Sequence, residues 1–120
     1  MKQILTVDDS SSIRQMVSFT LTKAGYQVAE AVDGRDGLTK AGQQKFDLII
    51  TDLNMPNMDG IQMIAALRKL PIYGFTPILM LTTESQSGKK DEGRKAGATG
   101  WIVKPFRADQ LLAVLQKLVK

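Results

Sequence analysis

Asp8-Asp9, Asp52, Thr82 and Lys104 each follow a short apolar run: Ile4-Leu5-Thr6-Val7, Leu48-Ile49-Ile50-Thr51, Ile78-Leu79-Met80-Leu81 and Trp101-Ile102-Val103. Carboxylates, a hydroxyl and an ammonium are the groups that phosphoryl chemistry uses. Three carboxylates held close together repel one another, and either a proton or a cation must relieve them. The chain has no histidine and no cysteine. Any metal there is therefore held by oxygen alone, which selects a hard ion, and Mg²⁺ suits a site that also takes a phosphate. A carboxylate is itself a competent phosphoryl acceptor, giving an aspartyl phosphate. Lys104 and a donor hydroxyl such as Thr82 would then stabilise charge in the transition state. Taken singly, Asp8-Asp9 could cap a helix, Thr82 could simply end a strand, and Lys104 could be solvated. Their joint placement at four apolar run ends favours a shared site.

The elements that would position these residues are legible from hydrophobic periodicity. Strand-like runs near 4–8, 27–31, 47–52, 77–82 and 100–103 alternate with helix-like stretches. The first, third and fourth runs are nearly continuous apolar stretches, as expected of strands covered on both faces. Ile13, Val17, Thr20, Leu21 and Ala24 form one face of a first helix that Gly25 is placed to end, and Ser10, Ser11 or Ser12 caps its start. Asp59 is a candidate N-cap for a helix carrying Ile61, Ile64, Ala65 and Arg68, and Leu111, Leu112, Leu115, Leu118 and Val119 stripe the last helix. The stretch 86–96 holds Gly88 and Gly93, each costing about 1 kcal/mol against alanine, so it reads as an easily deformed helix.

Alternating β and α units with right-handed crossovers imply an α/β, flavodoxin-like (βα)5 fold: a doubly wound, five-stranded parallel sheet of order 2-1-3-4-5. Strands 1 and 3 then flank the switch point, and ligands bind at the carboxyl edge of the sheet. The second strand is an edge, which accounts for Val28-Ala29-Glu30-Ala31 ending on no site residue.

At 120 residues the chain reads as one domain. Lack of cysteine excludes disulfides, zinc thiolates and thiol nucleophiles, and lack of histidine excludes a histidine base or phosphohistidine. No membrane span or signal sequence is apparent, so a cytoplasmic, soluble protein is expected. Sixteen basic and 12 acidic residues give a net charge of +4. Lys89, Lys90, Arg94 and Lys95 cluster in one segment, which reads first as a solvated face and second as a surface for an acidic protein. Without interleaved aromatics or a DNA-binding pattern, no nucleic acid partner is expected.

The chain resembles a bacterial two-component response-regulator receiver domain. The resemblance rests on Asp8-Asp9-Ser10, on Asp52 with Met55-Pro56-Asn57-Met58-Asp59-Gly60, on Thr82, and on Lys104-Pro105-Phe106, and it spans the sequence, so a single receiver domain (1–120) without an effector domain is expected. It implies that Asp52 is the phosphoacceptor and that Asp9, Asp52 and the backbone carbonyl of Asn54 ligate Mg²⁺, with Asp8 acting largely through water. It further implies that Lys104 contacts the phosphoryl group, that the Lys104–Pro105 bond is cis, and that Thr82 and Trp101 move together as a switch. That switch would reshape the face made by the fourth helix, fifth strand and fifth helix. Asn54 and Glu84 occupy the positions that tune hydrolysis of the aspartyl phosphate.

Within the family the chain is most like the stand-alone chemotaxis regulators. That likeness implies a sensor histidine kinase of the chemotaxis type as donor, the flagellar motor switch protein as target, and a monomer that is not itself an enzyme, though it assists its own phosphorylation and dephosphorylation. The rival within the family is a single-domain receiver that passes phosphate to a histidine phosphotransfer protein or drains it. Three positions depart from the usual pattern: Trp101 stands for tyrosine, Thr83 for alanine, and Arg107 for a capping Ser or Thr. Haloacid-dehalogenase-type phosphatases share an Asp nucleophile and Mg²⁺, but they need a second Asp where this chain has Asn54. A flavin binder of the same fold would meet repulsion between its cofactor phosphate and Asp8-Asp9.

Overall fold

The computed structural model describes residues 2–83 and 87–119. Five parallel strands, β1 (Gln3–Val7), β2 (Gln27–Ala31), β3 (Leu48–Asp52), β4 (Ile78–Thr82) and β5 (Gly100–Val103), form one sheet in the order β2-β1-β3-β4-β5. Five helices connect and follow them: α1 (Ser11–Lys23), α2 (Gly34–Gln43), α3 (Gly60–Arg68), α4 (Ser87–Ala96) and α5 (Ala108–Leu118). This is the doubly wound flavodoxin-like arrangement that the run pattern predicts, and every strand range agrees within one residue at each end.

The apolar runs become interior strands because helices cover both faces. Every residue of β3 and β4 is buried, whereas the edge strands β2 and β5 are mostly half-buried. Side chains alternate across the sheet. Leu5, Val7, Ile49, Ile78 and Met80 pack with Met63, Ile64 and Leu67 of α3. Ile4, Leu48, Ile50, Leu79 and Leu81 pack on the other face with Val17 and Leu21 of α1 and Leu111 and Leu115 of α5. Fully burying each such side chain stabilises the fold by roughly 1.5–3 kcal/mol relative to leaving it in water.

Caps fix where helices start and stop. Of the three serines, Ser10 caps α1, its Oγ accepting from Ile13 N–H at 3.3 Å. Gly25, at φ +100°, ends the helix while Tyr26 N–H bonds Leu21 O and Gly25 N–H bonds Thr22 O. Ala24 is the C-cap and is exposed, so the buried face of α1 stops at Leu21 rather than extending to Ala24 as the spacing predicts. Asp59 and Gln62 form a reciprocal capping box at α3, and the buried face of that helix also includes Met63 and Leu67. At α5, Arg107 has no acceptor to offer, so the Gln110 side chain takes the cap N–H instead at 2.8 Å. Among the described residues no helix is long and apolar enough to cross a membrane.

The glycines of α4 serve different ends. Gly88 faces open space, but a Cβ on Gly93 would stand 2.1 Å from Met80 Sδ on β4. The second glycine thus lets the helix lie close on the sheet, a reason that composition alone does not reveal. Past the helix, Gly97 at φ +121° offers its carbonyl to Arg68 Nε and Nη2 at 3.0 and 2.8 Å, anchoring the end of α4 to α3.

Candidate functional site

Register brings the site together. Val7 pairs with Thr51, so Asp8 follows β1 level with Asp52, the last residue of β3. Asp52 pairs with Leu81, placing Thr82 one step further along β4, and Thr82 pairs with Val103, the residue before Lys104. Carboxylate oxygens of Asp8, Asp9 and Asp52 all lie within 4.8 Å of one another. Asp8 is fully buried, Asp52 is buried and Asp9 is exposed. The Lys104 ammonium donates to Asp52 Oδ1 at 2.9 Å and stands 3.7 Å from Asp8 Oδ2. Lys104 N–H also donates to Thr82 O, and the Lys104–Pro105 peptide is cis, as the resemblance implies.

The electrostatics call for a cation. Asp8 Oδ1 accepts from Ser10 N–H at 2.9 Å, but the buried Oδ2 has no hydrogen-bond partner among the described residues. Burial holds the Asp8 carboxyl above the ordinary carboxylate range. The neighbouring charges of Asp52 and Asp9 push the same way, against the Ser10 N–H and Lys104. Three carboxylates beside one ammonium leave the cluster with excess negative charge, and a buried carboxylate oxygen without a hydrogen-bond donor fits an oxygen-ligated ion such as Mg²⁺. Asn54 is exposed on the loop after β3.

That loop is closely held. A Cβ on Gly60 would stand 2.2 Å from Asp52 O, so only glycine lets α3 start beside the strand end. Asn57, at φ +68°, donates from Nδ2 to Asp33 Oδ2 at 2.7 Å, and Gly34 N–H donates to Met58 O at 3.0 Å. Asp33 in turn caps α2 through Asp36 N–H, and these two donors hold its carboxyl below the usual range.

Thr82 Oγ1 is buried without a hydrogen-bond partner among the described residues, leaving a hydroxyl at the strand end free to serve a new acceptor. Trp101 is half-buried against the core face that includes Met80, with the Arg94 guanidinium and Lys90 ammonium of α4 over its ring. Glu84 lies outside the described residues. Sequence reasoning misses Arg14, whose Nη1 donates to Asp8 O at 2.7 Å, and the Asp33–Asn57 pair. Neither carries a local signal, because each joins elements whose adjacency exists only in the fold.

The response regulator receiver domain profile matches residues 4–116. The chemotaxis response regulator CheY4 of Vibrio cholerae superposes with a TM-score of 0.94 at 56% identity, covering 98% of each chain. The receiver domain of sensor histidine kinase PA1611 from Pseudomonas aeruginosa PAO1, described with a magnesium ion coordinated in its active-site cleft, gives a TM-score of 0.91 at 27% identity, covering 98% of this chain and 97% of that one. The DNA-binding dual master transcriptional regulator RpaA of Synechocystis is 38% identical over all 120 residues, which make up 50% of its own length. The chain thus spans about half the length of the curated relatives it matches.

Proposed function

The chain belongs to the response regulator receiver domain family of two-component signalling, and from that premise we propose that Asp52 accepts a phosphoryl group from a histidine kinase in a Mg²⁺-dependent step. The observation that carries this reading is the Asp52 carboxylate held between the Lys104 ammonium at 2.9 Å and the buried Asp8. Asp8, Asp9, Asp52 and the Asn54 carbonyl would hold the ion, which when bound neutralises charge on the transferring group.

An oxygen of Asp52 attacks phosphorus as the P–N bond to the kinase imidazole breaks. The electron pair leaves with the imidazole nitrogen, which takes up a proton, and an acyl phosphate remains on Asp52. Lys104 then follows the new negative charge from the carboxylate to a phosphoryl oxygen. The unpartnered Thr82 hydroxyl donates to another. Movement of Thr82 gives Trp101 space to turn inward and changes the surface formed by α4, β5 and α5. On that surface a groove is lined by Trp101, Val103, Pro105, Gln110, Ala113 and Val114.

The likeness to a chemotaxis regulator supports a stand-alone cytoplasmic receiver, monomeric, phosphorylated by a chemotaxis kinase and read by the flagellar motor switch protein. Asn54 and Glu84 would set the lifetime of the phosphoryl group. The test is intact mass after incubation with acetyl phosphate, with and without Mg²⁺, for the wild type and Asp52→Ala. One labile phosphoryl adduct requiring both Mg²⁺ and Asp52 is expected. An adduct that persists in Asp52→Ala refutes the assignment.

A further inference from the structure

Asp9 is the exposed member of the acidic cluster, and its side chain makes no hydrogen bond or ion pair among the described residues. Its aim is therefore set by its backbone. The peptide joining Asp8 to Asp9 lies just beyond the end of β1. Asp8 N–H donates to Ala31 O at 3.1 Å, continuing the sheet, but β2 ends at Ala31. The Asp8 carbonyl finds its donor elsewhere, in Arg14 Nη1 of α1 at 2.7 Å. Arg14 is itself fixed by Glu30 of β2, whose Oε1 lies 3.3 Å from Nε. The Arg14 side chain is only 16% exposed, although Glu30 is 41% exposed, so the guanidinium end of this bridge is shielded from water, where a charge-assisted bond is stronger than at a free surface.

Rotation of the Asp8–Asp9 peptide would swing the Asp9 carboxylate away from Asp8 and Asp52. The planar guanidinium, bonded at two points, resists that rotation. We infer that Arg14 is a positioning residue which, braced by Glu30, locks the Asp8–Asp9 peptide so that the Asp9 carboxylate is presented to the divalent cation. The inference rests on the proposed Mg²⁺ site and adds a residue that the acidic signature does not contain. Groups that orient metal ligands typically affect affinity 10–100-fold when removed.

The experiment is calorimetric titration with Mg²⁺ of the wild type, Arg14→Met, Arg14→Lys and Glu30→Gln, alongside thermal melts in EDTA. Met keeps an unbranched apolar stem and removes the donors together with the charge. The expected result is a Mg²⁺ Kd raised roughly tenfold in Arg14→Met. Arg14→Lys, which can satisfy one acceptor but not both, should lie between it and the wild type. Glu30→Gln should show a smaller loss, and the melts should shift little. Acetyl phosphate labelling of Arg14→Met should return to the wild-type rate once Mg²⁺ is raised well above the new Kd.

A folded Arg14→Met with unchanged Mg²⁺ affinity overturns the inference, as does a labelling defect that saturating Mg²⁺ does not repair. If Arg14→Met fails to fold, the ordering of Arg14→Lys and Glu30→Gln decides, and wild-type affinity in both overturns it. A wild-type protein that binds no Mg²⁺ overturns the receiver-site reading itself, so the two failures are distinct.

Discussion

The guanidinium of Arg94 lies 5.1 Å from the ring centroid of Trp101, and the Lys90 ammonium reaches the same ring at 5.6 Å. Two turns of α4 thus hold the indole of β5 in its present half-buried orientation. Cation–π contacts at exposed sites contribute about 0.5–1 kcal/mol each. Removing both with Lys90→Gln/Arg94→Gln should shift an outward–inward ring equilibrium several-fold towards the inward state. Trp101 is the single tryptophan, so acrylamide quenching of its fluorescence reads this directly, and reduced quenching is expected. Quenching that stays at the wild-type level would mean that the cations do not set the ring orientation.

The Asp8 carboxyl is held above its ordinary range by burial and by Asp52 and Asp9. The folded state therefore binds this proton more tightly than the unfolded chain does. Without a divalent cation, the stability tied to this group is fully present below the unfolded value near 3.8 and is lost as pH rises through the raised folded value. Asp8→Asn removes the titration. In EDTA it should melt higher than the wild type at neutral pH and lose that advantage below pH ~4. Added Mg²⁺ should raise the wild-type Tm more than that of the variant. A wild-type Tm in EDTA that rises steadily towards neutral pH relative to Asp8→Asn would contradict the sign.

Gly88 and Gly93 make opposite predictions within one helix. Gly88 faces open space, so Gly88→Ala should stabilise the protein by about 1 kcal/mol, a rise of a few degrees in Tm. Gly93→Ala must displace Met80 Sδ from 2.1 Å, and overpacking of this kind costs roughly 1–3 kcal/mol against the same propensity gain. Chemical denaturation of the two variants separates them. Equal stabilisation by both would show that the close approach of α4 to β4 is not a constraint.

Lys104 is the only cation among the described residues that pairs with the carboxylate of Asp8 or Asp52 within 4 Å. Lys104→Ala should retain Mg²⁺ binding, since the oxygen ligands remain, yet uncouple phosphorylation from the change in target affinity. In EDTA it should also lose about 1.5–3 kcal/mol, the value of a hydrogen bond to a charged group. Target binding by the variant with and without acetyl phosphate checks the first point. A wild-type enhancement on phosphorylation would remove Lys104 from the switch.

The family and the sheet were legible because both rest on local signals. Near-continuous apolar runs mark the doubly covered strands, and a strand–helix alternation of this length leaves few topologies. Once the strand order follows, residues just past successive strands must meet at one edge. Asp8, Asp9, Asp52, Thr82 and Lys104 could therefore be grouped from one dimension. The Asp59 cap and Gly25 stop were equally local, set by side chains within a few residues of the backbone groups they satisfy.

What the sequence could not decide is every relation in which one element supplies what another lacks. Ser10 rather than Ser11 or Ser12 caps α1, and Ala24 is left exposed where the helix ends. Gly93, which composition marks as a weakness, is also the point where α4 descends onto Met80. Arg14 reaches Asp8 O, and Asn57 reaches Asp33, across segments that only the folded register makes neighbours. Hydrophobic periodicity determines which face of an element is buried, to within a turn. Hydrogen bonds are decided over tenths of an ångström between residues distant in the chain, and that precision arises only when the layers pack.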